Sequence, residues 1–124
     1  MSNMNKQIIF AALGMALLAG IIFYYQNANS APQDVVVVIM SGMTYDKEEI
    51  SIKRGQTIRF ENTSVDEMYW PASNIHPSHG IYPEFDPQEP VMAGKSWSFK
   101  FNKAGSWRFH DHLHPQITGT INVE

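Results

Sequence analysis

The chain contains no cysteine. That removes any disulfide framework. It also excludes thiolate-bound zinc, iron–sulfur clusters and thiolate-bound copper from any site this chain builds by itself. Runs of lysine or arginine are missing too. Nine basic and twelve acidic residues leave a net charge of −3, so nucleic acid is not an expected partner. What remains is 124 residues of ordinary apolar content, rich in aromatics. This is enough for one small domain and an appendage, and a domain of about 90 residues buries a working core without disulfides.

One long apolar run stands out. Met1–Gln7 is polar with a single side-chain charge, Lys6, and Ile8–Tyr25 is apolar apart from glycines and the closing Tyr24–Tyr25 pair. Eighteen residues at ~1.5 Å rise span roughly 27 Å, close to a bilayer core of ~30 Å, and the tyrosines fall where an interfacial belt would. We therefore expect a cytoplasmic N-terminus over 1–7, a transmembrane anchor (or uncleaved signal) over 8–25 and a polar, proline-containing linker over 26–33. The alternative is a cleaved signal peptide, with Ala28-Asn29-Ser30 as a small-x-small site. Either reading places 34–124 outside the cytoplasm, in the periplasm or on the cell surface.

From Asp34 the period becomes strand-like. Asp34–Met40 is a β-branched run expected as a buried strand. Glu49–Lys53 and Thr57–Glu61 alternate around Arg54-Gly55, which reads as a hairpin with Ile50, Ile52, Ile58 and Phe60 inward. Glu67–Ala72 is expected as a strand ending at Pro71. Trp97, Phe99, Phe101, Trp107 and Phe109 alternate with polar residues and are taken as core, and Thr118–Val123 closes the chain. Ser73–Pro90 carries four prolines and no period. A loop that long is usually functional or disordered, and its Ile81, Tyr82 and Phe85 suggest that it packs. The pattern is an all-β, antiparallel Greek-key sandwich of about seven strands.

All five histidines lie in two short segments, His76/His79 in the proline-rich loop and His110/His112/His114 near the C-terminus. Imidazole is the commonest protein ligand for transition metals. Residues i and i+2 of a strand share a face, so His110 and His112 point together, while Asp111 points inward with Trp107 and Phe109. Each has an ordinary reading as well: His76 as a turn residue, His79 on a loop surface, His110 as a solvated strand residue, Asp111 as a turn cap. The methionines Met40, Met43, Met68 and Met92 are read as packing rather than soft ligands.

Several segments in order and spacing resemble the cupredoxin family: Ile50–Gly55, Thr57–Phe60 with Asn62, Ala93–Phe101, Gly105–Phe109 and His114–Ile121. The resemblance covers Val35–Val123 and implies the copper-protein fold. It does not carry the blue-copper ligands. In that register Asp111 stands at the cysteine position, Ile117 at the methionine and a residue near Met68 at the upstream histidine, leaving only His114. More locally, Gly105-x-Trp-x-Phe-His110-Asp111-His112 resembles the His-x-His segments of multicopper oxidases, where the flanking histidines bind copper. Trp70–His79 with Tyr82–Asp86 and then His110-Asp111-His112-Leu113 is similar to exported bacterial cupredoxin-like proteins in which asparagine often replaces His114. The fold implied brings the 73–90 loop and the 110–115 loop to one end.

The site expected is thus a metal centre drawn from His76, His79, His110, His112, His114 and Asp111. His79, His110 and His112 form its middle, and Asp111 is a ligand or a support fixing an imidazole tautomer. Nitrogen-rich ligation suits Cu(II), with zinc or nickel close behind. The function expected is copper holding or delivery by a membrane-anchored protein, with a metal donor or acceptor protein as partner and oligomerisation open. An enzymatic role is disfavoured. The alternatives are a copper-dependent oxidoreductase or electron-transfer protein working with a partner domain, and a metal-free interaction module.

Overall fold

The computed structural model describes residues 14–25 and 34–124. Residues 14–25 are helical. Among the described residues no helix is long and apolar enough to cross a membrane. The expected anchor begins six residues earlier, and its 8–13 portion lies outside the described residues, as do the expected 1–7 terminus and 26–33 linker. The chain divides between Gln33 and Asp34.

Asp34–Glu124 forms two four-stranded sheets. The strands are β1 (Val36–Ser41), β2 (Thr44–Tyr45), β3 (Glu49–Ile52), β4 (Thr57–Asn62), β5 (Pro71–Ser73), β6 (Ser96–Lys100), β7 (Gly105–Asp111) and β8 (Thr118–Val123). One sheet runs β2-β1-β4-β6 and the other β3-β8-β7-β5. Between them lie Val38, Met40, Ile58, Phe60, Phe85, Phe101, Phe109 and Ile121, all fully buried. Burying each such side chain is worth ~1.5–3 kcal/mol.

Two expectations need correction. Glu49–Lys53 and Thr57–Glu61 are not a hairpin: β3 pairs in parallel with β8, and β4 pairs with β1 and β6 in the other sheet. The four inward residues are buried as expected, Ile50 and Ile52 at 5% and 4% exposure and Ile58 and Phe60 at 0%. Alternation only says which face is apolar, and a strand crossing to the opposite sheet has the same alternation as one turning back. The corner is settled by tertiary bonds. Arg54 N–H donates to Glu124 O, and Gly55 N–H to Phe101 O, at 2.8 and 2.7 Å. Gly55 turns there with φ +92°, a conformation costly for any side chain. The sandwich is also mixed rather than antiparallel, since the β1–β4 and β3–β8 pairs are parallel.

The strand expected over Glu67–Ala72 is shorter and later. Tyr69 bridges Val91 alone, and β5 starts at Pro71 instead of ending there. Proline is tolerated because β5 is an edge strand paired only with β7. The loop that follows is stitched onto this edge. Ser73 N–H donates to Phe85 O, Asn74 N–H to Arg108 O and Ile81 N–H to Asn74 O. Tyr82 and Phe85 are buried at 2% and 0%, whereas Ile81 stays 39% exposed. The loop is therefore a lid fixed over the end of β7.

Candidate metal centre

β7 ends on Asp111, and its alternation does the first part of the work. Phe109 and Asp111 are fully buried between the sheets, so His110 faces outward toward the 73–90 loop. Ala72 pairs with His110 in the β5–β7 register. His112 follows just past the strand, its N–H donating to Trp70 O at 2.8 Å. From the loop, His79 turns back in a left-handed conformation (φ 54°), its N–H on Ile75 O.

These placements bring His76, His79, His110 and His112 together, with one ring nitrogen of each lying within 4.8 Å of the others. His76 Nδ1 is 3.2 Å from His110 Nε2, and His79 Nε2 is 2.9 Å from His112 Nδ1. Four bonds of ~2.0 Å to a tetrahedral ion would set such nitrogens about 3.3 Å apart. Closing the widest pair, at up to 4.8 Å, takes about 1.5 Å of relative movement.

The opposite nitrogens of the two buried rings are held. His79 Nδ1 donates to Asp86 Oδ2 at 2.6 Å, and His110 Nδ1 to Asn74 Oδ1 at 3.1 Å. Those acceptors fix the tautomers, so Nε2 of each ring turns a lone pair inward. An outer partner of this kind both orients an imidazole ligand and raises its basicity. Asp86 also accepts from Trp70 Nε1 at 2.8 Å, and the Trp70 ring lies 4.7 Å from that of His112. Burial works to raise the Asp86 pKa, but the bonds from His79, the Gln88 N–H and Trp70 outweigh it and carry the carboxyl below its ordinary value. It is an anion beside the cluster.

Two of the four rings resist protonation. Burial, and then the proximity of His79, His76 and His112, push His110 down to about 4. Burial followed by His79 and His76 lowers His112 as well. His110 and His112 therefore stay neutral near pH 7, the form that ligates. In the metal-free protein each close nitrogen pair shares a proton, which an incoming ion must displace.

His114 and Asp111 are not brought into this group. His114 Nδ1 lies 3.0 Å from Asp111 Oδ1. That same oxygen accepts the N–H groups of Leu113 and His114, and Oδ2 accepts from Trp70 N–H and Tyr45 OH. With five donors on two oxygens, this buried carboxylate is a structural knot joining the end of β7 to Tyr45 of β2, to the residue before β5 and to the turn after β7. It also decides whether the blue-copper register can hold metal. Asp111 has no spare lone pair for an ion and Ile117 has no donor atom, so copper does not fit there. The four-imidazole cluster does fit an ion of its class. Asn74 and Asp86 were not singled out by the histidine pattern. The available signal was an amide and a carboxylate in the same loop as His-x-x-His, where ligating imidazoles need acceptors.

A family model for the cupredoxin-like domain matches residues 14–123. The chain belongs to the cupredoxin-like domain family. Among curated proteins it is similar to amicyanin of Paracoccus versutus, 27% identical over 103 residues (78% of this chain and 70% of that protein). It is likewise 27% identical over 110 residues to amicyanin-alpha of Methylorubrum extorquens, covering 88% and 86%. Among solved structures, amicyanin from Paracoccus versutus superposes with a TM-score of 0.63 at 31% identity, covering 78% of this chain and 88% of that one. An amicyanin mutant solved in its Cu(I) form has a TM-score of 0.61 at 22% identity, covering 78% and 89%, and shows the fold alone.

Proposed function

We propose that this is a membrane-anchored, extracytoplasmic cupredoxin-like protein that holds a transition metal, Cu(II) foremost, on His76, His79, His110 and His112, for storage or delivery to a partner. The observation that carries the metal reading is the convergence of four imidazole nitrogens within 4.8 Å, two of them with tautomers set by Asp86 and Asn74. Copper is favoured over zinc because all-nitrogen ligation suits Cu(II) best along the divalent series. Anchoring and export are supported by the apolar run Ile8–Tyr25 with tyrosines at its end.

The chain's own residues do the following. His79 and His110, backed by Asp86 and Asn74, supply two preset lone pairs. His112, packed on Trp70, supplies a third, and His76 closes the open side. Bound copper would supply Lewis acidity and a one-electron couple.

The test is titration of the full chain in detergent with Cu(II) and Zn(II), followed by electron paramagnetic resonance and absorption. One equivalent of Cu(II) with nitrogen hyperfine structure and no intense band near ~600 nm is expected, since that band needs a thiolate ligand and the chain has no cysteine. Failure to bind either ion would make the domain a metal-free interaction module. Recovery of the chain in the soluble fraction after cell disruption would remove the anchor from the proposal.

A further inference from the structure

The four imidazoles are held unequally. His79 and His110 are 5% and 2% exposed, and each has its Nδ1 on an acceptor. Asn74 is itself anchored by Arg108 O and Ile81 N–H. His112 is half-buried, with its N–H on Trp70 O and its ring against the indole. His76 differs on every count. It is exposed, and so are its neighbours Ile75, Pro77 and Ser78. Its Nδ1 faces His110, and among the described residues no carboxylate or carbonyl holds its other nitrogen.

We propose that His76 is the replaceable ligand of the cluster. An external imidazole nitrogen, from a histidine presented by a metal donor or acceptor protein, takes its place, and the ion enters and leaves by that exchange. This rests on the metal reading above. An ion enclosed by four fixed ligands must lose a bond before it gains one. Here one side is open, so a new metal–nitrogen bond forms as the His76 bond breaks, while His79, His110 and His112 keep hold. The bonds balance one for one between chemically identical donors, the oxidation state is unchanged, and the departing ring swings into water.

The experiment uses the full chain in detergent, loaded with Cu(II), and the variants His76→Ala, His76→Gly, His110→Ala and His112→Ala. Each is first checked for unchanged metal-free thermal unfolding. Free imidazole is the probe, and Cu(II) affinity, paramagnetic resonance and the rate of copper loss to a competing chelator are the readouts. Both His76 variants should keep Cu(II) with a loss of roughly 10–100-fold, of the size a supporting residue gives. They should release it at least about tenfold faster than the parent, and excess imidazole should restore the parent spectrum. His110→Ala should bind far more weakly and regain nothing with imidazole, because the position it vacates is closed to solvent. Imidazole rescue of His110→Ala equal to that of the His76 variants would overturn the proposal. So would a His76→Ala variant that loses copper as completely as His110→Ala and is not rescued. If the parent itself binds no Cu(II), the metal reading falls and this proposal with it. If the parent binds but the variants behave alike, only this proposal falls.

Discussion

His79 Nε2 stands 2.9 Å from His112 Nδ1, although 33 positions separate them in the chain. The contact joins the proline-rich loop to the end of β7. His79 is aimed by Asp86 and His112 by Trp70, and the Trp70 indole Nε1–H itself donates to Asp86. One half-buried carboxylate thus sets two walls of the candidate centre.

Asp86→Asn should therefore weaken Cu(II) binding without unfolding the domain. Asparagine keeps one acceptor oxygen for either His79 or Trp70, but loses the negative charge and one of the two bonds. A ~10–100-fold loss of affinity is expected, measured by competition titration beside metal-free thermal unfolding. Affinity equal to the parent's would show that the carboxylate does not tune the site.

His114→Ala should leave metal stabilisation intact. Its ring bonds to Asp111 and lies against Tyr69 rather than the cluster. Copper at 100 times its dissociation constant should stabilise the parent by about 2.7 kcal/mol, seen as a raised Tm that a chelator reverses. The variant should start from a lower metal-free Tm and gain the same increment. A lost increment would put His114 among the ligands.

The metal-free domain should lose stability as pH falls from about 6.5 toward 4. His110 is held at about 4 when folded and returns to its ordinary ~6.5 when unfolded. Between those values the unfolded chain binds the extra proton, so stability rises with pH across that window and is lost as pH drops through it. Because the neighbouring rings share in the shift, full loss of this contribution amounts to at most about 3 kcal/mol at ~1.4 kcal/mol per pH unit. Denaturant unfolding at several pH values should show a smaller slope in His110→Gln than in the parent.

Gly119→Ala should destabilise the fold that carries the site. A Cβ there would meet Phe109 Cε1 at 2.5 Å and the Glu48 carbonyl oxygen at 2.9 Å. Phe109 is fully buried and immediately precedes His110, so it has little room to yield. A loss of ~1–3 kcal/mol is typical of overpacking and would appear as a lower denaturant midpoint. An unchanged midpoint would mean that Phe109 can shift, and then copper affinity should report the movement of β7.

The sequence by itself determined the composition of both layers. Period-two alternation marked Ile50, Ile52, Ile58, Phe60, Trp107 and Phe109 as the inward face, because burial of apolar area depends only on which side of a strand a residue occupies. The same alternation put His110 and His112 on one side of the chain and Asp111 on the other. The absence of cysteine ruled out a thiolate centre. Which strands pair was decided only by tertiary structure. The turn at Arg54-Gly55 serves a hairpin and a crossover equally well, and its bonds to Glu124 and Phe101 come from residues about 45 to 70 positions away. The choice among the histidines was decided in the same way. The sequence ranked His79 with His110 and His112 at the centre and kept His76 and His114 beside them, and Asp111 reads alike as ligand or cap. Only the docking of the 73–90 loop onto β5 and β7 sends His76 and His79 to the cluster and leaves His114 with Asp111. A side chain's chemistry is local, but the direction of its lone pair is set by whatever the folded chain places on its other side.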